Sequence, residues 1–215
     1  MTAAARKTTV RRHPERAAYD REAIDAILDE GLIGHLGLVG GEQPYVLPML
    51  YVRQDDALYL HGAPASRLLG SLAEGSRCCF TVTLLDGLVL ARSAFHHSLN
   101  YRSVVVLGHA RAVTDPDEKL AALEALVEHV LPGRTADARR PSKAELKVTE
   151  VVALDLDQCS AKTRRGPPVD TRPDLSLPVW AGELPLGVTA GEPIPDPHCS
   201  VPEPAGLRSY RRGDG

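Results

Sequence analysis

The stretch Leu58-Tyr59-Leu60-His61-Gly62-Ala63-Pro64-Ala65-Ser66-Arg67-Leu68-Leu69 carries the side chains best placed for chemistry. A histidine closes an alternating apolar run, small residues follow, and Ser66-Arg67 opens a helical pattern. Free amides at a helix start, a hydroxyl and a guanidinium together make a phosphate cradle. The same residues also fit an ordinary strand-to-helix loop, with Ser66 as N-cap and Arg67 in solvent. A second candidate, Asn100-Tyr101-Arg102-Ser103-Val104-Val105-Val106-Leu107-Gly108, is a strand whose polar start bears Arg102 and Ser103. An arginine there serves equally as a ligand contact or as a structural ion-pair partner.

Other chemistries lack their residues. The glycines of Gly31-Leu32-Ile33-Gly34-His35-Leu36-Gly37 follow a helical pattern and lead into strands, the reverse of a dinucleotide fingerprint, and no GK[ST] is present. No nucleophile elbow or Ser-His-Asp ordering is visible. Cys78 and Cys79 are adjacent while Cys159 and Cys199 stand alone, so neither a disulfide framework nor a CxxC pair exists. His96 and His97 are sequence neighbours, which on a strand point to opposite faces, and no metal site is expected. Glu124 and Glu128 fall on the polar side of a helix.

Composition narrows the class further. The chain has 215 residues, 25 basic and 28 acidic, for a net charge of −3. That balance argues against a nucleic-acid coat, and 4% aromatics argue against base stacking. Hydrophobic residues at 43% are enough for a core. No apolar run reaches the roughly 18 residues that span a bilayer, and no apolar signal core follows Met1 to Lys7, so a soluble, cytoplasmic protein without membrane or nucleic-acid partners is expected.

Three textures divide the chain. Residues 1–16 form a basic arm (Arg6, Lys7, Arg11, Arg12, Arg16), and residues 17–162 hold the periodic segments. Residues 163–215 carry ten of the 17 prolines and no lysine, yet include Leu175, Leu177, Val179, Trp180, Leu184 and Leu186. Such a segment builds no core of its own, so it is expected to wrap the main domain.

Within the body, Asp20 caps a helix through Ile24, Ile27 and Leu28, with Gly31 at its stop position. Strands follow over 32–39, 44–53 and 58–61, turning at Gly40-Gly41 and Asp55-Asp56. A short helix over 66–74 ends at Gly75. Strands over 77–85 and 87–92 are joined by Asp86-Gly87, and a long one spans 101–113. Asp115-Pro116-Asp117-Glu118 opens the clearest helix, with Glu118 placed as in a capping box, and Gly133 closes it. A last strand covers 148–156. Tight turns and few crossovers predict a mainly β (α+β) fold: an antiparallel barrel of six or seven strands with peripheral helices.

Several separated motifs then resemble one family. These are His13-Pro14-Glu15-Arg16, Pro44-Tyr45-Val46-Leu47-Pro48-Met49, Tyr59-Leu60-His61-Gly62 through Ser66-Arg67-Leu68, and Tyr101 through Gly108. In this order, over residues 13–162, they resemble the flavin-nucleotide-binding relatives of pyridoxamine 5′-phosphate oxidase, the nitroimidazole-resistance subgroup in particular. The resemblance implies an FMN-binding split β-barrel that dimerises, with FMN in clefts shared by the two subunits of the homodimer. It implies that Leu47, Pro48, Met49 and Leu50 line the isoalloxazine. His61, Gly62, Ala63, Ser66, Arg67 and Leu68 would hold ribityl and phosphate, and Arg102 and Ser103 would contribute from the dimer cleft. His61 is the implied catalytic residue beside the flavin, a proton donor to a small-molecule substrate, nitroaromatic or pyridoxine-like.

Two departures qualify this. The oxidase carries a lysine after its Ser-Arg pair where this chain has Leu68, leaving the phosphate clamp one charge short. After Trp180-Ala181-Gly182 comes Glu183-Leu184-Pro185-Leu186, with none of the arginine and histidine that grip the oxidase's substrate. Pyridoxamine phosphate is therefore disfavoured as substrate. The expectation is an FMN-dependent oxidoreductase. Its alternatives are a flavin-storage protein without turnover, or a split barrel holding haem or a deazaflavin.

Overall fold

The computed structural model describes residues 8–40, 42–63, 67–204 and 206–212. The chain falls into two compact units, residues 1–84 with 101–165, and residues 85–100 with 166–215. The first is an antiparallel split barrel. Its elements are β1 (Ala17–Ala18), α1 (Arg21–Glu30), β2 (Ile33–Gly40), β3 (Gln43–Gln54), β4 (Ala57–Gly62), α2 (Arg67–Ala73), the first part of β5 (Arg77–Leu90) and most of β6 (Ser98–Ala112). Then follow α3 (Pro116–Val130), α4 (Arg134–Asp137), α5 (Lys143–Lys147), β7 (Glu150–Asp155) and β8 (Cys159–Arg164). The strand order is β1-β8-β6-β7-β4-β3-β2-β5, and β6 also pairs with β5, which closes the ring. Thr81 Oγ1 on β5 donates to the Val104 carbonyl of β6 at 2.9 Å.

Alternation fills the ring. Leu36 and Leu38 on β2, Leu58 and Leu60 on β4, Phe80 and Val82 on β5, Val104 and Val106 on β6 and Val152 and Leu154 on β7 all enter one buried cluster. Strand β7 is buried on both faces, because Val151 and Ala153 lie in a second cluster with Ala122 of α3. Helix α1 brings Ile24, Ile27 and Leu28 into the main core and is capped by the Asp20 side chain, which accepts from the Ala23 N–H at 2.9 Å. The buried Tyr51 hydroxyl donates to the Leu28 carbonyl at 2.7 Å, occupying one of the acceptors that a helix end leaves open.

Gly31 ends α1 as expected but for a different reason. Its φ of −69° is not left-handed. A side chain there would place Cβ 2.5 Å from the Tyr51 hydroxyl and 2.6 Å from Val82. Gly75, by contrast, does stop α2 at a positive φ of 84°. Glu118 does not complete a capping box. Its carboxylate takes Arg111 and the Tyr59 hydroxyl instead, while Asp115 alone caps α3. The turn expected at Asp86-Gly87 is absent, since β5 runs unbroken from Arg77 to Leu90. Strands β1, β8 and β9 (Gly182–Pro185) went unforeseen. Gly41, half of another expected turn, lies outside the described residues.

The second unit joins the far end of β5, a 3-10 turn at Ala94–His96 and the start of β6 to the proline-rich tail. Strand β9 pairs antiparallel with Gly87–Leu90. Gly87 is a point of close approach, where a Cβ would stand 2.9 Å from the Leu184 carbonyl oxygen. Asp170, with its side chain 1% exposed, accepts from the Arg92 backbone N–H at 3.1 Å and from its Nη1 at 2.9 Å. Burial alone would raise the Asp170 pKa, but the Arg92 hydrogen bonds outweigh it and hold it low. Asn100 Nδ2 donates to Glu183 at 2.5 Å. Among the described residues, no helix in either unit is long and apolar enough to cross a membrane.

The tightest packing test lies in β2. A Cβ on Gly34 would stand 2.1 Å from the Phe80 ring, which is fully buried and held edge-on to Tyr51 at 5.2 Å. Gly34→Ala should therefore cost about 1–3 kcal/mol. Gly70→Ala, in α2 with open space around it, should be neutral or gain about 0.5–1 kcal/mol. Urea melts of both variants decide, and equal stabilities would contradict this packing.

Candidate functional site

Strand β3 changes neighbours part-way along. From Gln43 to Leu50 it pairs with β2, and from Tyr51 to Gln54 it pairs with β4 instead. The ladder to β4 ends at Tyr51 opposite Leu60. On its other edge β4 is paired to β7 from Ala57 onward, and beyond Leu60 only that pairing remains, with His61 opposite Val151 and Gly62 opposite Glu150. The two strands thus part between Leu50 and His61, and β3 keeps an edge without strand pairing over Gln43–Leu50. Two prolines, Pro44 and Pro48, are tolerated on such an edge because it spares the missing N–H.

The surface at this parting is apolar. Tyr45, Val46 and Leu47 are 46%, 64% and 44% exposed, and Ile33 and Val39 on β2 are exposed beside them. Pro48 is exposed, Leu50 is half-buried, and Met49 packs on the core. His61 is half-buried, and its Nδ1 is shut off from solvent without a hydrogen-bond partner among the described residues. Desolvation pulls its pKa below the ordinary histidine value, so the imidazole is neutral near neutral pH. An orphaned ring nitrogen at the end of a strand, next to an open edge and apolar surface, suits a planar polar-edged ligand.

Gly62 holds the turn close to α2, since a Cβ would meet Leu69 at 2.6 Å. Ala63 is exposed. Ser66 lies outside the described residues, as do Pro64 and Ala65, and so do the side chains of Arg67 and Leu68, whose backbone begins α2. Arg102 and Ser103 sit on β6, opposite Thr163 and Lys162 of β8. Arg102 makes a two-pronged ion pair with Glu30 at the end of α1, one prong at 2.8 Å. Ser103 Oγ donates to the Lys162 carbonyl at 3.3 Å. The parting therefore has Leu50 on the β3 side and His61 on the β4 side, and Arg102 has Glu30 as a strut-like partner.

The cysteines offer no nucleophile in the barrel. Burial pushes the Cys78 thiol up to about 11, despite a backbone hydrogen bond, and raises Cys79 as well. Among the described residues no cluster of three histidine, cysteine or carboxylate side chains is arranged to hold a metal ion. Sequence reasoning did not foresee that His97 in the second unit holds Nδ1 3.0 Å from the Ser93 carbonyl oxygen. The tight turn that positions it has no composition signal beyond Ser93 itself.

Comparison with known proteins gives a consistent set. The family model described as pyridoxamine 5′-phosphate oxidase matches residues 20–163. The flavocytochrome Anf3 of Azotobacter vinelandii is 37% identical, covering 95% of this chain and 96% of its own, with a TM-score of 0.89. The FAD and haem binding protein of Mycobacterium smegmatis is 35% identical over 90% of this chain and 96% of its own, with a TM-score of 0.86. A proposed 5-nitroimidazole antibiotic resistance protein of Bacteroides thetaiotaomicron is 26% identical over 68% of this chain and 85% of its own, with a TM-score of 0.57. No curated protein matches the chain.

The lowered His61 pKa has a pH consequence. The unfolded chain takes up this proton at a higher pH than the folded one, so the stability present above the ordinary histidine value is lost as pH falls through the folded value. Between about pH 7 and about pH 5 the wild type should lose more stability than His61→Asn. Denaturant melts at the two pH values test this, and parallel losses would show that His61 is not desolvated.

Proposed function

The chain belongs to the pyridoxamine 5′-phosphate oxidase family, and from that premise we propose that it is a flavin- and haem-binding redox protein of the flavocytochrome kind, with FAD as its flavin. The observation that carries this reading is the likeness, over 95% and 90% of the chain, to a flavocytochrome and to an FAD and haem binding protein. It favours FAD over the FMN expected from the sequence, and the haem-bearing alternative over an FMN-dependent oxidoreductase. The nitroimidazole-type reading, with FMN and a nitroaromatic substrate, ranks second because its relative matches only 68% of the chain.

A bound flavin supplies two-electron chemistry that can be divided into single electrons, and a haem passes electrons singly. The chain's own part is placement. The open edge of β3 offers backbone N–H and C=O groups to the polar rim of the ring system, and Tyr45 and Leu47 supply apolar surface that keeps water off it. His61 Nδ1 would be free to hydrogen-bond the ring, and as a neutral imidazole it is suited to holding a hydrogen bond more than to delivering a proton. Ser66 and Arg67 would hold the phosphates, while Arg102, paired to Glu30, braces α1 against β6. A homodimer in the cytoplasm belongs to the same reading, with Ile33, Val39 and Val46 as apolar surface for a second copy.

Two measurements test this. Chromatography of the flavin released from purified protein should identify FAD, and the intact protein should show a Soret band beside the flavin bands. FMN without haem would return the chain to the oxidoreductase reading. Removing the arginine at the cradle should cost on the order of 2–4 kcal/mol, so Arg67→Ala should weaken binding of FAD and FMN by roughly 30- to 1000-fold. Riboflavin, without phosphate, should bind the variant as it binds the wild type. Equal losses for all three flavins would show that Arg67 supports the fold instead.

A further inference from the structure

Haem iron needs one well-oriented nitrogen donor and apolar surface for the macrocycle, and the second unit presents both on one short turn. Ser93 organises it. Its hydroxyl accepts from the Phe95 N–H at 3.2 Å, and its carbonyl accepts from the His96 N–H at 3.1 Å. The same carbonyl oxygen lies 3.0 Å from His97 Nδ1. A carbonyl can only accept, so Nδ1 carries the proton and the lone pair belongs to Nε2. That is the tautomer of a metal-binding imidazole, its orientation fixed by a backbone carbonyl acting on the other ring nitrogen. The turn is anchored directly upstream, where Arg92 is tied to the buried Asp170.

Apolar groups flank the donor. Phe95 is 88% exposed and Leu99 is 46% exposed, each two residues from His97, which is itself exposed. The Phe95 ring stands edge-on to His96, with centroids 5.2 Å apart. Phe95 and Leu99 together give the turn exposed apolar surface on both sides of the donor in sequence. Four other histidines fit less well. His13 meets Glu15, and His129 bonds the Gly31 carbonyl beside Tyr51. His61 belongs to the β3–β4 parting. His109 also directs Nδ1 at a carbonyl, that of Gly75 at 2.7 Å, but no large apolar side chain within five residues of it is exposed.

We propose that His97 Nε2 is an axial ligand of the haem iron, with Phe95 and Leu99 against the macrocycle. This rests on the haem reading above. The test uses the full chain with its flavin and added ferric haem, comparing wild type with His97→Gly, His96→Ala and His109→Ala. Haem per chain, the ferric absorption and electron paramagnetic resonance spectra, and flavin content are read in each. His97→Gly should keep its flavin, which shows the fold intact, while haem affinity falls about tenfold or more. Added imidazole should restore the wild-type ligation spectrum to that variant, and the other two variants should match wild type. A His97→Gly protein with wild-type haem content and spectrum overturns the assignment, as does loss of ligation in His96→Ala or His109→Ala instead. A wild-type chain that holds flavin and takes up no haem overturns the haem reading itself.

Discussion

A strand's backbone needs partners on both edges, and β3 finds its two partners at different places along its length. Over Gln43–Leu50 its ladder partner is β2, and over Tyr51–Gln54 it is β4. Strand β4 keeps β7 on its other edge along its whole length, Ala57 to Gly62, so beyond Leu60 it is β3 that leaves it. Parting the strands therefore opens a seam at the end of the barrel wall. The seam has free backbone on one side and a desolvated imidazole on the other. Gly62 and the seven-residue helix α2 keep the following turn close behind it. Burying more of this edge would remove the opening, so the exposed Tyr45, Val46 and Leu47 are a requirement of the site.

The second unit is organised by polar anchors where the barrel is organised by apolar packing. Among its described residues, Val89 and Ala91 are the large or small apolar side chains that are buried. The β5–β9 ladder, Arg92 on Asp170 and Asn100 on Glu183 bind the tail to residues 85–100. A buried carboxylate held by both a backbone N–H and a guanidinium fixes direction as well as contact. That rigidity is what the turn at Ser93–His97 needs if an imidazole on it is to point in one direction.

Much of the barrel was legible from the sequence because its signals are local. Alternation marked the strands, Asp20 and Asp115 marked the helix starts, and Gly75 marked a left-handed stop. What escaped depends on partners distant in the chain. Asp86-Gly87 has the composition of a turn, yet its glycine serves the approach of Leu184 almost a hundred residues away. Gly31 similarly answers to Tyr51 and Val82. Strand β8 has few apolar residues in alternation, and its place is set by pairing with β6. At the candidate site, His61 stood out by type at a strand end, and the Leu47–Leu50 strip came from the family resemblance. For Arg102 an ion pair was one of two open readings, but its partner was not legible, because Glu30 is brought to it only by the fold.

The central claim is that one chain carries a flavin and a haem as working redox groups. An anaerobic spectroelectrochemical titration of the purified full-length protein addresses it most directly. The account predicts two resolved transitions that reverse on reoxidation, one that bleaches the flavin bands and one that shifts a Soret band. A titration in which the flavin alone responds, with no Soret component at any potential, would contradict it.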